Sequence, residues 1–361
     1  MFRPVIPFAM ATLVPLPLLA LGTALGGVWT AAALLYLTLV TFTLDQLIHV
    51  AAPHAPEGTG FPAADRLSAA LALAHFAALP LGIWAVGGSS GLGTAERVAA
   101  FLGFGLFLGQ ISIPNAHELI HCTDKRLFAL GKWVYISLLF GHHTSAHRQV
   151  HHVHAATPRD PNSAPLGMSY YRFAPRAWAG SFRAGLAAET RAMACKSPPP
   201  PRWRHPYLAY VLGGLACLIA VALVFGAGGL AAYLGLAAHA QAQLLLADYV
   251  QHYGLRRAMR PDGRYEPLGA RHSWDSPHWF TSYMMLNAPR HSDHHAHPAR
   301  RFPALRLQPE GQAPTLPLSL PAMATLALVP RAWRRVMDAR ARQWLPKAGP
   351  ASGTGAGALS N

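Results

Sequence analysis

Arg290-His291-Ser292-Asp293-His294-His295 puts three imidazoles within five residues, beside a carboxylate. Two further clusters lie upstream: His117-Glu118-Leu119-Ile120-His121 and His147-Arg148-Gln149-Val150-His151-His152. A single histidine, His252, follows in Asp248-Tyr249-Val250-Gln251-His252-Tyr253-Gly254-Leu255. One such run is ordinary in a surface loop; three at ligand spacing in one chain point to metal.

The spacing carries the argument. In a helix of about 3.6 residues per turn, His117 and His121 share a face, as do His147 and His151, with His152 turned by roughly a further 100° toward a second ion. His294 and His295 both come near His291 if that segment is helical. With His252 this makes nine imidazoles. Such borderline donors suit iron, zinc or copper, and one four-coordinate zinc would leave most of them unused. Two ions with four or five nitrogens each use them all, and open positions on iron permit oxygen chemistry. Glu118 and Asp293 are candidate acceptors for imidazole N–H groups, with direct ligation the alternative. Asp248 is expected to support the site beside His252, and Asp45 to act as a cap. The other eleven histidines, His49, His54, His75, His142, His143, His154, His205, His239, His272, His278 and His297, are read as solvated or hydrogen-bonded.

Composition says where such a site sits. Of 361 residues, 52% are hydrophobic and only 12% charged, which marks a membrane chain. Crossing a hydrocarbon core takes about 20 apolar residues, and six runs reach that length, near 5–25, 28–50, 68–87, 96–116, 206–226 and 229–250. Their links near Gly26-Gly27, Gly87-Gly88 and Gly226 to Gly229 are short and nearly free of charge. The net charge of +15 does not indicate nucleic acid, because twelve of the 30 cations fall between Lys125 and Arg204 and fifteen between Arg256 and Lys347. That is the bias of cytoplasmic loops. With the N-terminal run as first anchor and the N-terminus inside, every histidine box lies at the cytoplasmic face. Three cysteines without C-x-x-C spacing indicate neither a disulfide framework nor a thiolate site.

The remaining stretches are punctuation. Leu127 to Phe140 is apolar but too short to span, and is expected at the interface; Pro198 to Pro201 breaks any helix. Leu316 to Val329, interrupted by Pro317 and Pro321, is expected to pack against the cytoplasmic unit. Residues 1–347 read as one domain and 348–361, rich in Gly, Ala and Ser, as a disordered tail.

These boxes resemble the membrane-bound, histidine-rich diiron superfamily of fatty-acid desaturases and hydroxylases, within it the AlkB-type alkane monooxygenases and the xylene-type methyl hydroxylases. The likeness is carried by the four boxes, by Ala156-Thr157-Pro158-Arg159-Asp160-Pro161, by His272-Ser273-Trp274-Asp275-Ser276 and by His297-Pro298-Ala299-Arg300-Arg301-Phe302. Departures fall at Ala146, Val150, Asp248, Gln251, Cys122 and Pro289, and none removes a histidine of the boxes. The resemblance implies an all-α integral membrane protein of six transmembrane helices with a diiron site at the cytoplasmic face of a bacterial inner membrane. It implies two iron ions held by His117, His121, His147, His151, His152, His252, His291, His294 and His295. It also implies hydroxylation by O2 of the terminal methyl of an alkane or alkylaromatic, yielding a primary alcohol. No G-x-G-x-x-G or paired C-x-x-C is present, so electrons are expected from a separate rubredoxin or ferredoxin with its reductase. The rival readings are an acyl or carotenoid desaturase or hydroxylase of the same superfamily, and a metal transporter.

Overall fold

A computed structural model describes residues 5–55 and 60–346, and these are helical with no extended sheet among them. The expected tail at 348–361 lies outside the described residues. Among the described residues five helices are long and apolar enough to cross a membrane: α1 (Ile6–Leu25), α2 (Gly27–Leu47), α3 (Pro62–Val86), α4 (Thr94–Ile120) and, after several shorter helices, α7 (Pro206–His252). The predicted fifth and sixth runs are the two limbs of α7. Its 47 residues break at Gly226, whose φ of 66° and ψ of −164° are not helical. Both limbs then pack beside the same short helix, Tyr210 and Gly213 from one, Tyr233 and Gln241 from the other.

Glycine chemistry explains the turn. Gly226 has the positive φ that a side chain disfavours. At Gly228 a Cβ would stand 2.4 Å from the Gly87 carbonyl oxygen, so the loop after α3 and the break in α7 touch backbone to backbone. The limbs face outward with bare aliphatics: Leu223 is 81% exposed and Val224 73%. In water such a surface would be untenable; in lipid it is the solvent-facing surface.

Helix α5 (Lys125–Ser137) starts where Asp124 Oδ1 accepts from the Arg126 and Leu127 amides at 2.7 and 3.0 Å. Its inner face is buried against α4. A Cβ at Gly131 would stand 2.8 Å from the Ala116 carbonyl oxygen, and Val134, Tyr135 and Ile136 are fully buried. Helix α6 (Tyr170–Ala194) returns the chain to α7. Beyond α7 come α8 (Trp279–Met284), α9 (His291–Ala296), α10 (Leu320–Ala327) and α11 (Pro330–Trp344). Asp45 does act as a cap, but of a distant helix: it accepts from the Phe280 and Thr281 amides at 2.8 and 3.0 Å, at the amino end of α8. A carboxylate at the end of a membrane helix is thereby satisfied. α10, from the apolar 316–329 stretch, lies against α7 and, at 8 residues, is too short to span.

Candidate metal centre

The nine box histidines come together. Their ligating nitrogens fall into two groups, within each of which all lie within 4.8 Å of one another. One holds His117, His121, His147, His152 and His294; the other holds His151, His252, His291 and His295. The groups adjoin, the rings of His152 and His295 being 4.7 Å apart between centroids.

Each ring is delivered by a helix end or by a short helical segment. α4 ends with His117 and His121 and α7 with His252. α9 presents three imidazoles, splitting them so that His291 and His295, four apart, face one group and His294 the other. The 147–152 segment departs from the spacing argument. His147–His151 forms a π-helical turn, so His147 pairs with His152 and not with His151. A π turn brings residues five apart onto one face, and such turns concentrate at functional sites.

The nitrogens converge as ligands of one ion would. In the five-membered group His147 Nε2 stands 2.8 Å from His117 Nε2 and 2.9 Å from His152 Nε2, and His294 Nε2 is 3.1 Å from His152 Nε2. In the other group His252, His291 and His295 place their Nε2 atoms 3.0 to 3.3 Å apart. Two nitrogens each about 2.1 Å from one ion and at right angles stand about 3.0 Å apart. His121 Nε2 and His151 Nε2 are buried without any protein partner, where buried polar atoms are ordinarily satisfied. The donor set therefore fits two metal ions.

Protonation favours ligation. Burial, and then repulsion among the rings, hold His121, His147, His152, His291, His294 and His295 well below the ordinary imidazole value, leaving them neutral. His151 differs: burial lowers it, but the Asp160 carboxylate outweighs that and raises it. His151 Nδ1 lies 2.9 Å from Asp160 Oδ2. Asp160 is itself held by Ser163 Oγ at 2.7 Å, and its Oδ1 accepts from the Asn162 amide, while Asn162 Nδ2 donates to Asp248 Oδ2 at 2.6 Å. Asp248 is thus linked to the site through Asn162 and Asp160, toward His151 and not the neighbouring His252. Asp160 was visible in the Ala156 to Pro161 motif but had no assigned role there, since nothing in the spacing said which imidazole it would face. His252 Nδ1 has the His272 carbonyl oxygen at 3.3 Å.

Glu118 and Asp293 take other partners than the expected imidazoles of the boxes. Glu118 Oε1 accepts from Arg301 at 2.6 Å and from the Phe302 amide, and Arg301 also reaches Asp65 and Cys122. Asp293 holds Arg300 at 2.6 Å through both oxygens, the Arg306 amide at 2.9 Å and His297 Nδ1 at 3.0 Å. Both carboxylates fasten the 297–306 segment under the site. Arg290, fully buried, donates to the Leu305 and Ala52 carbonyls, and Asp275 accepts from the amide and hydroxyl of Ser292. Gln251 donates to the Ala288 carbonyl at 3.1 Å, joining the end of α7 to the loop before α9. Of the background histidines, His75 pairs its Nε2 with Ser137 Oγ at 2.8 Å.

A cavity of about 210 Å³ opens beside the imidazoles. His117, His147 and His291 form its inner wall, Leu106, Ile113 and Leu244 its sides, and α10 closes it as far as Leu328, which is 40% exposed. An apolar space between helices, ending on a metal-competent cluster, suits a lipid-soluble molecule.

The chain belongs to the fatty acid desaturase family, whose model matches residues 96–326. Its relatives include alkane 1-monooxygenase 1 of Pseudomonas aeruginosa, 35% identical over 252 residues, or 70% of this chain and 65% of that protein. The alkane 1-monooxygenase of Pseudomonas putida is 32% identical over 75% of this chain and 66% of its own length. XylM, the hydroxylase component of a Pseudomonas putida xylene/toluene monooxygenase, is 27% identical over 65% of the chain and 62% of that protein. The chain thus matches somewhat under two thirds of these relatives' lengths.

Proposed function

We propose that the protein is a membrane-bound non-haem diiron monooxygenase that hydroxylates the terminal methyl of an alkane or alkyl side chain to a primary alcohol. The observation that carries this reading is the convergence of nine imidazoles, in groups of five and four, on the inner end of an apolar cavity. The similarity to alkane and xylene monooxygenases supports the reaction class.

Under this reading His117, His121, His147, His152 and His294 hold one iron, and His151, His252, His291 and His295 the other. The pair, when bound, supplies dioxygen activation. The rest falls to the chain. Asp160 fixes the tautomer of His151, leaving its Nε2 lone pair toward the second group, and the His272 carbonyl does the same for His252. Leu106, Ile113 and Leu244 exclude water and orient a methyl group toward the imidazoles. The substrate enters from the bilayer, and electrons arrive from a soluble rubredoxin or ferredoxin with its reductase at the basic face. On this reading the chain crosses a bacterial inner membrane six times, counting both limbs of α7, and the clustering of Lys and Arg in the segments that carry the histidines supports a cytoplasmic site.

A metal transporter would space its ligands along a path through the membrane; here they gather at one end of the helices. The test is turnover in lipid nanodiscs with octane, 18O2 and a reduced rubredoxin. Labelled 1-octanol is expected; a double bond or a ketone among the products of acyl or carotenoid substrates, with octane untouched, would assign another branch of the family.

A further inference from the structure

The cavity wall is less apolar than a plain hydrocarbon requires. Gln110, Tyr135, His143, His239 and Gln243 line it, and each carries a buried polar atom with no hydrogen-bond partner in the protein. Leaving such an atom unsatisfied costs about 1–3 kcal/mol, so five in one cavity favour an occupant with a polar group, water or ligand.

Three of them form a built pair of layers away from the imidazoles. Gly105 and Gly109, four apart on α4, face His239 and Gln243, four apart on α7. A Cβ on Gly105 would stand 2.0 Å from His239 Nδ1, and one on Gly109 2.3 Å from the Gln243 amide, so the two glycines make the room that these side chains fill. Gln243 Nε2 donates to the Gly105 carbonyl at 2.8 Å, which fixes the amide and identifies its unpartnered atom as the oxygen. His239 is steadied by stacking on Phe101, ring centroids 5.4 Å apart. Gln110 Oε1, on α4, is the second unpartnered amide oxygen.

Amide oxygens only accept. What they lack is a donor, which neither an alkane nor an ester or ketone provides. Gln110 precedes His117 by seven residues and Gln243 precedes His252 by nine, about 10 and 14 Å along the axes at 1.5 Å per residue.

We propose that the preferred substrate is a medium-chain alkyl alcohol, its methyl at the imidazoles and its hydroxyl donating to the Gln243 or Gln110 amide oxygen, with His239 Nδ1 beside it. This rests on the monooxygenase reading above. The reaction breaks a terminal C–H bond and forms a C–O bond with one oxygen atom of O2. The other leaves as water, with two electrons from the proposed iron-sulfur or rubredoxin-type donor and two protons. The product is an α,ω-diol.

The experiment compares 1-octanol with octane in the full chain in nanodiscs, with the same reduced donor, following 1,8-octanediol and 1-octanol. Expected is a kcat/KM at least about tenfold higher for 1-octanol, since a site that hydrogen-bonds a hydroxyl discriminates against the analogue lacking it. Gln243→Leu and Gln110→Leu, each made alone, should cut that ratio by about tenfold in at least one variant while octane turnover persists. The ratio is taken within one sample, so a partly unfolded variant does not distort it. Octane preferred, or a ratio that neither variant moves, overturns the inference and leaves the monooxygenase reading standing. Oxygen-dependent product from neither compound removes that reading, and this inference with it.

Discussion

His147 and His152 stand five residues apart on and just after a π-helical turn, with their Nε2 atoms 2.9 Å from each other, while His151 between them faces the opposite group. One short segment therefore serves both metal positions. An α-helical turn would send His147 and His151 the same way.

Under the proposed assignment His151→Ala and His294→Ala should each abolish hydroxylation, and each should lower bound iron from about two toward one per chain. The two variants belong to different groups, so they should empty different positions. Metal analysis with Mössbauer spectroscopy reads this, and full iron occupancy with retained activity in either variant would sink the assignment.

Asp160→Asn keeps the size of the side chain but weakens its hold on His151 Nδ1, 2.9 Å away. Loss of such a partner typically costs 10–100-fold in metal affinity. The variant should lose iron faster on dialysis against a chelator, with its helical content unchanged; retention equal to wild type would show that His151 is positioned without Asp160.

Arg301 joins Glu118, Asp65 and Cys122 across 179 to 236 residues of sequence. Arg301→Met leaves Glu118, 6% exposed, as a buried carboxylate without its cation. Breaking a buried pair costs about 3–5 kcal/mol, and the low end applies because Arg301 is itself 22% exposed. A lowered thermal unfolding midpoint in detergent is expected, with Glu118→Gln in the same background recovering part of it; an unchanged midpoint would count against the clamp.

Docking of the proposed electron donor at the basic face should depend on salt. Arg and Lys crowd the segments around the histidines, so raising ionic strength should increase KM for reduced donor and leave kcat nearly unchanged. Turnover indifferent to salt would remove the electrostatic part of the proposal.

The sequence by itself determined the helical class, the membrane character, the turns at Gly26, Gly87 and Gly226, and the nine histidines as a set. All of these follow from local properties: run length, glycine freedom and residue spacing. The tertiary structure decided how the nine divide, because the π turn at His147–His151 and the position of α9 are set by packing. It decided that Asp160, and not Glu118 or Asp293, faces a clustered imidazole, since these carboxylates meet partners brought from far along the chain. It also placed Gln110, His239 and Gln243 around one cavity. Spacing relates His239 to Gln243, four apart on α7, but relates Gln110 to neither, because two helices must be packed, with Gly105 and Gly109 at the contact, before these side chains share a space.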